Sequence, residues 1–338
     1  MLLSALLLLA PSVPPPSPLL FDPDPVAARR QFDFWIGEWS VQNRFLQPDG
    51  SWVDADVTRA RITPVCAGRA LLEEWAGPFR GTFMNGFSLR AWNEPLARWD
   101  LVLNWTTDGN GSFGTMHGTF RHGRGEFVSN PSGASRTRYT FSDALEETVR
   151  WDSATTQDSG VTWKTDWVME FSRTRDAAEV TQDVLFSEDW NAGELSGAPE
   201  ARALDALLGT WTGTRTLADG RTREARLRAR ALNKDCLVVD VLQWRAQAGE
   251  AWNERLAVRG WVPRANRWES WRLAVEDPVL RSAPGTWDGP VLVTEWVGAE
   301  GERRREALVL ADGALTLEES LRFGDDAWEL VATTELSR

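Results

Sequence analysis

The stretch Gln31–Trp39, "QFDFWIGEW", decides the fold, because its pattern returns at Ala203–Trp211 as "ALDALLGTW". Both stretches place an Asp after an apolar residue, continue with apolar residues and end in Gly-x-Trp. Pro25 and Pro199 precede them, and proline suits the first position of a helix while glycine suits its end. We therefore predict that a short helix plugs one end of a β-structure twice, and that Gly-x-Trp begins the first strand each time.

The similarity continues beyond these phrases. "RAWNEPLARW" (Arg90–Trp99) matches "RGWVPRANRW" (Arg259–Trp268), and the offset stays at about 170 residues. A repeat of this length is a duplicated domain, since solenoid repeats span roughly 20–50 residues. The match fades after these stretches, where ligand-specific differences should lie. We predict that the tryptophans kept in both copies are architectural: Trp39/Trp211, Trp75/Trp244, Trp92/Trp261 and Trp99/Trp268.

Within each copy, about nine short runs alternate in polarity and end at turn dipeptides, as strands do. The dipeptide Asp312-Gly313 joins "ALVLA" to "ALTLEE", which is a hairpin signal. We predict an all-β protein of two tandem antiparallel barrels. The predicted divisions are a leader at 1–27, the barrels at 28–175 and 200–338, and an acidic, loosely packed linker at 176–199.

The charge of the chain limits its partners. The net charge of −12 argues against nucleic acid and anionic membranes, which need a basic surface. The basic run Arg221–Arg230 alternates Arg with Ala and Leu, which is typical of a strand with a solvated arginine face. We predict no nucleic-acid partner and no membrane insertion, and the oligomeric state stays open.

The chain opens with an apolar run, Leu2–Ala10, followed by small residues at Ala10–Ser12. The run is too short to span a bilayer but suits a signal peptide, although no Lys or Arg precedes it. We predict export, to the periplasm or the exterior.

Four motifs together resemble a known family. "FDFWIGEW" (Phe32–Trp39), the Asp-Gly turn that follows, "GRALLEEW" (Gly68–Trp75) and "WVMEFSRT" (Trp167–Thr174) resemble the lipocalin-like bacterial domain family of unknown function in the calycin superfamily. The second copy resembles it more weakly, and its "GTWTG" (Gly209–Gly213) is also similar to nitrobindin. The resemblance implies calycin-like barrels closed by a short helix, often with a cavity, but no single activity.

Cofactor and nucleophile motifs are sparse. Nitrobindin-type haem binding needs a His ligand, and both His117 and His122 lie in the first copy, on opposite faces of one predicted strand. We predict no metal site and no cofactor. Cys66 and Cys236 stand at nearly matched positions, so they form either an inter-domain disulfide or two small buried residues.

One carboxylate stands out among several acidic doublets. Glu73 would share the apolar face of its strand with Leu71 and Trp75, whereas Leu242 holds its place in the second copy. We expect Glu73 to be the carboxylate whose burial perturbs its pKa, or else to form a partly exposed salt bridge near the barrel rim.

The candidate ligand-binding residues are those that the first copy has and the second lacks: Glu73, Asn104, Trp105, His117 and Trp151. Strand alternation turns Trp105 inward and Asn104 to the other side. Two tryptophans would then supply flat apolar walls and Glu73 one polar contact. The alternative is that these residues fill a wider first barrel.

These observations favour an exported protein that binds a small hydrophobic or ring-bearing molecule in a tryptophan-lined barrel. An alternative is a tandem-barrel enzyme of hydratase, cyclase or isomerase type, with its site in or between the barrels. A second is a structural pairing without a ligand. A cavity on the order of several hundred Å³ with inward polar groups would separate binding or catalysis from the structural alternative.

Overall fold

A computed structural model of the chain describes residues 25–79, 81–106, 113–129, 132–187, 190, 199–233, 237–311 and 313–338. It contains two closed antiparallel barrels of ten strands each, one after the other. The predicted fold class is confirmed, with one strand more per barrel than the sequence pattern indicates.

In both barrels each strand pairs with its neighbour in sequence, and the last strand returns to the first. The first barrel comprises β1 (Gly37–Leu46), β2 (Trp52–Val65), β3 (Ala70–Phe79), β4 (Thr82–Asn93), β5 (Arg98–Thr106), β6 (Gly114–Arg121), β7 (Arg124–Val128), β8 (Arg136–Ser142), β9 (Thr148–Thr156) and β10 (Lys164–Arg175). The second comprises β11 (Gly209–Leu217), β12 (Thr222–Leu232), β13 (Leu237–Arg245), β14 (Asn253–Val262), β15 (Arg267–Ala274), β16 (Arg281–Asp288), β17 (Val291–Val297), β18 (Arg303–Ala311), β19 (Ala314–Arg322) and β20 (Glu329–Ser337).

A short plug precedes each barrel. The first consists of helix α1 (Pro25–Arg29) and a 3₁₀ turn (Asp33–Trp35), and the second is a 3₁₀ helix (Pro199–Leu207). Trp35 of the first plug and Leu207 of the second are fully buried. Each plug therefore closes one end of its barrel.

The Gly-x-Trp phrase ties each plug to its first strand. The Trp39 Nε1–H donates to the carbonyl of Trp35 at 3.0 Å, and the Trp211 Nε1–H donates to the carbonyl of Leu207 at 2.8 Å. Both indoles are buried. The phrase recurs because each barrel needs the same connection between plug and wall.

An arginine near the end of the first barrel completes this connection. The Arg173 guanidinium donates to the carbonyls of Ile36 at 2.6 Å and Phe34 at 3.0 Å, and it stacks on the Trp39 ring at 4.1 Å. Gly37 leaves room for this arrangement: its φ is +139°, and a Cβ there would lie 2.9 Å from the carbonyl of Arg175. A side chain at residue 37 would therefore disrupt the plug.

The second barrel repeats the arrangement with its last residue. The Arg338 guanidinium donates to the carbonyls of Ala206 at 2.8 Å and Leu208 at 3.2 Å, and it lies over the Trp211 ring at 4.8 Å. The plug contacts are thus a property of the duplicated domain.

The two barrels pack against each other through the outer faces of β3–β5 and β13–β15. Their apolar contact includes Leu72 and Leu89 of the first barrel and Val239 and Leu256 of the second. At its edge Glu74 accepts from Arg61 at 2.8 Å and also contacts Arg230. The arginine face of β12 is therefore not solvated throughout, as its alternation suggested, because part of it joins this interface.

The first part of the linker is packed rather than loose. Helix α2 (Gln182–Ser187) inserts Leu185, fully buried, between the barrels. The Gln182 side chain accepts from the backbone N–H of Cys66 at 3.1 Å and donates to Glu254 at 3.1 Å. This part of the linker packs tightly because helix α2 has an apolar face, although the segment as a whole is acidic. Residues 188–189 and 191–198 lie outside the described residues.

Several further expectations can be compared with the structure. The hairpin around Gly313 is confirmed, with Leu308 opposite Leu317 in β18 and β19.

Cys66 is a free, buried thiol, and burial raises its pKa well above the ordinary value. Cys236 and the leader at 1–24 lie outside the described residues. No helix in the described ranges is both long and apolar enough to cross a membrane.

Candidate functional site

The first barrel encloses a small cavity between its plug and its opposite end. The cavity measures about 20 Å³, which is room for about one water molecule. It is lined by Trp35, Glu73, Ser88, Arg90, Leu101, Leu103, Trp105, Tyr139, Phe141, Trp151 and Met169. Aromatic rings thus form much of its wall.

A buried polar cluster lies at one side of the cavity. Glu73 on β3 and Ser88 on β4 are directly paired across the strands, and Arg90 follows two residues later on the same inward face. The Ser88 hydroxyl donates to the Glu73 carboxylate at 2.7 Å, and the Arg90 guanidinium pairs with that carboxylate. Burial lowers the pKa of Arg90, and the charge of Glu73 opposes that shift. The two charges compensate each other inside the barrel.

Two donors around the cavity have no acceptor in the described part of the chain. Arg90 Nη1 and Trp35 Nε1 are buried and make no hydrogen bond there, whereas the Trp105 indole N–H faces the Tyr139 hydroxyl. A buried donor without a partner costs about 1–3 kcal/mol. The Arg90 guanidinium also lies 5.0 Å from the Phe32 ring and 5.2 Å from the Phe141 ring, which hold it in place. The site therefore offers donors in excess and can satisfy an acceptor oxygen.

An aromatic layer separates the cavity from the end opposite the plug. We define this layer as Trp75, Phe79, Trp105 and Trp167. The Trp105 ring lies 5.5 Å from Trp75 and 5.9 Å from Trp167, and Phe79 lies 5.1 Å from Trp167. The Trp105 ring also lies on Gly86, where a Cβ would collide with it. Trp105 is the member of this layer that lines the cavity, and it is also partly exposed to solvent.

Three of the five candidate residues meet at this cavity. Glu73 supplies its carboxylate, Trp105 its outer wall and Trp151 a buried side wall. The Trp151 ring packs against Tyr139 at 4.6 Å and Trp167 at 5.0 Å. All three side chains point inward, as strand alternation predicts.

The other two candidates lie outside the barrel interior. Asn104 faces the second barrel, and its carbonyl and side-chain oxygens accept from the Asn233 amide at 3.2 and 3.0 Å. His117 lies on the outer face of β6 opposite Asp100, and burial together with the nearby Arg98 lowers its pKa. Neither residue touches the cavity, so we do not carry them into the proposed site.

The sequence predicted a carboxylate here but not its partners. Glu73 forms a salt bridge, and that bridge is buried rather than partly exposed at the rim. Arg90 was visible only as a residue kept in both copies, where Arg259 matches it. Tyr139, the single tyrosine, gave no signal, and burial raises its pKa to about 12. In the described ranges, no group of three or more His, Cys, Asp or Glu side chains could hold a metal ion.

Comparisons with known proteins leave the family open. No family model and no curated protein match the chain. Among solved structures, the chain is similar to a protein of unknown function from the DUF3598 family of Nostoc punctiforme, with 10% identity, 92% of this chain and 98% of that chain covered, and a TM-score of 0.25. It is also similar to a triple mutant of the Rhodopseudomonas blastica porin, with 10% identity, 89% and 96% covered, and a TM-score of 0.17. Neither score supports an argument, so the lipocalin-like and nitrobindin resemblances stay predictions.

Proposed function

We propose that the protein binds a small, neutral, ring-bearing molecule inside the first barrel, with an acceptor oxygen of the ligand on Arg90. The observation that carries this proposal is the pair of buried donors without acceptors, Arg90 Nη1 and Trp35 Nε1, beside a cavity with aromatic walls in the described part of the chain. Flat walls favour a ring, and unpaired donors favour a carbonyl or ether oxygen.

The charges of the site favour a neutral ligand. Glu73 already compensates Arg90, so an anion placed beside Arg90 would also lie beside a carboxylate. Like charges at such a distance disfavour each other strongly in a buried site. A neutral acceptor gains the free Nη1–H of Arg90 without that repulsion.

The size of the cavity defines how the ligand enters. About 20 Å³ is far below the several hundred Å³ of a typical ligand site, so a ring fits only where a side chain now lies. Trp105 is the side chain that can leave, because it is partly exposed and lies directly on the cavity. The ligand ring then replaces the Trp105 indole and enters from the end opposite the plug.

The test uses 2-acetylnaphthalene, a neutral ketone with two fused rings, in calorimetric titrations of the full chain. Trp105→Ala should bind it about tenfold or more tightly than the natural protein, because no indole has to be displaced. Trp52→Ala, which removes a tryptophan that is 39% exposed on β2, is the matched control and should not change binding. Equal affinity of Trp105→Ala and Trp52→Ala would contradict the proposal.

We also propose that the protein is exported, on the strength of its apolar leader. Intact-mass measurement of the protein from its own host should find a chain that lacks the leader in the periplasm or medium. A full-length chain confined to the cytoplasm would contradict export.

A further inference from the structure

The interior of the second barrel contains an unusual layer of charge. In the described part of this barrel, the layer consists of four arginines and three carboxylates at alternating strand positions: Arg215, Arg255, Arg259 and Arg272, with Asp240, Glu306 and Glu319. All four arginines are buried. A buried charge is tolerated only when it is paired, so the excess of one arginine requires an explanation.

Two of the arginines use most of the carboxylate oxygens. Arg259 donates to Asp240 at 2.7 Å and to Glu306 at 2.8 Å. Arg215 donates to Glu319 at 2.7 Å. These contacts are short and well directed, as in stable buried ion pairs.

The other two arginines share the remaining carboxylate oxygens. Arg272 lies 3.4 Å from the second oxygen of Glu306, which Arg255 also contacts, and Arg255 lies 3.6 Å from Glu319. Arg255 Nη2 is buried without a hydrogen-bond partner in the described part of the chain. Burial lowers the pKa of both guanidinium groups, most strongly for Arg272. Because arginine stays protonated in proteins, this crowding leaves positive charge that an anion can neutralise.

A cavity adjoins these two guanidinium groups. It measures about 50 Å³, which is room for roughly three or four water molecules or one carboxylate group. Trp244 and Trp296 flank it at the end opposite the plug, and the Arg272 guanidinium stacks on the Trp296 ring at 3.5 Å. The partly exposed Arg304 lines its opening to solvent.

We propose that this cavity binds the carboxylate of a small organic acid between Arg255 and Arg272, with the apolar part of the acid between Trp244 and Trp296. The planar guanidinium group matches the two oxygens of a carboxylate. The excess of one positive charge in this layer matches a monoanion rather than a doubly charged phosphate. Two carboxylates also line the cavity, Glu319 inside it and the exposed Glu276 at its mouth, and both oppose the bound charge, which limits the affinity.

The first experiment titrates the full chain with sodium benzoate, sodium acetate, phosphate and chloride at constant ionic strength. Benzoate should bind saturably with one molecule per chain, acetate more weakly because it lacks the ring, and phosphate more weakly than benzoate. Chloride should produce no saturable binding. Absence of benzoate binding, or phosphate binding as tight as that of benzoate, would overturn the assignment.

Variants locate the bound benzoate. Glu276→Gln, at an exposed position, should bind benzoate more tightly because it removes a repelling charge. Arg272→Met should weaken binding about tenfold or more, yet melt at the same or a higher temperature, because it removes an undercompensated buried charge. If Arg272→Met does not fold, Arg272→Lys should fold and show the weaker binding. Trp52→Ala, on the outer surface of the first barrel, is the control and should leave benzoate binding unchanged. Natural affinity in the Arg272 variant, or equally weakened binding in Trp52→Ala, would refute the site.

Discussion

The structural role of the repeated Gly-x-Trp phrase can be tested by replacing Trp39 and measuring the free energy of unfolding. Its indole is 1% exposed, packs against the plug and donates to the carbonyl of Trp35. Truncating a buried tryptophan to alanine costs about 3–5 kcal/mol, and the lost hydrogen bond adds about 0.5–1.5 kcal/mol. We therefore expect Trp39→Ala to lose about 3.5–6.5 kcal/mol of unfolding free energy. Trp39→Phe keeps a ring but not the N–H, so it should lose about 1–2 kcal/mol.

Urea denaturation followed by far-ultraviolet circular dichroism measures these losses. Intrinsic fluorescence is less suitable, because 20 tryptophans contribute to it. Trp52→Ala, on the outer surface of β2, should change the unfolding free energy by less than about 0.5 kcal/mol. A loss below about 1 kcal/mol for Trp39→Ala would show that the plug contact does not stabilise the barrel.

Three further changes have defined outcomes. Glu73→Gln leaves the Arg90 charge unpaired, so it should cost about 3–5 kcal/mol in the same denaturation assay, and an unchanged midpoint would contradict the buried pair. The Tyr139 phenol, with its pKa raised from 10.0 to about 12, contributes stability that is fully present below pH 10 and is lost as pH rises toward 12; phenolate absorbance with a midpoint near 10 in the folded protein would contradict this. The Cys66 thiol should react with a thiol-specific reagent only after denaturant is added, and rapid labelling of Cys66 in the folded chain, located by peptide mapping, would show that it is accessible.

The sequence predicted the barrels well because their signals are local. Alternation of polarity, turn dipeptides and the repeated Gly-x-Trp phrase each need only a few neighbouring residues. The same alternation correctly turned Glu73 and Trp105 inward. These features can be read from one strand at a time.

What the sequence could not predict depends on contacts between distant elements. Asn104 does face outward, but the outside of β5 is the second barrel rather than solvent. The volume of the cavity depends on how large rings interlock, which residue pattern alone does not fix. Such packing explains why the interior of the first barrel is nearly filled.

The buried salt bridges show a related limit of comparing the two copies by sequence alone. Arg90 and Arg259 match in sequence and both point inward, so the duplication preserved the cation. Its carboxylate partner kept its cross-strand position as well: Glu73 lies opposite Ser88, two residues before Arg90, and Asp240 lies opposite Ala257, two residues before Arg259. In sequence, however, Glu73 aligns with Leu242. An alignment of the two copies position by position therefore suggests that the second barrel lost the salt bridge, although both barrels have it.

The most direct test of ligand binding in the first barrel is a crystal structure of the full chain grown with 2-acetylnaphthalene. The account predicts density for the fused rings in the place of the Trp105 indole, with the ketone oxygen within hydrogen-bond distance of Arg90 Nη1. The Trp105 ring should no longer lie on Gly86. If the probe binds elsewhere, or if Trp105 stays on Gly86 above a single water, the first barrel is a filled core and the proposed function is wrong.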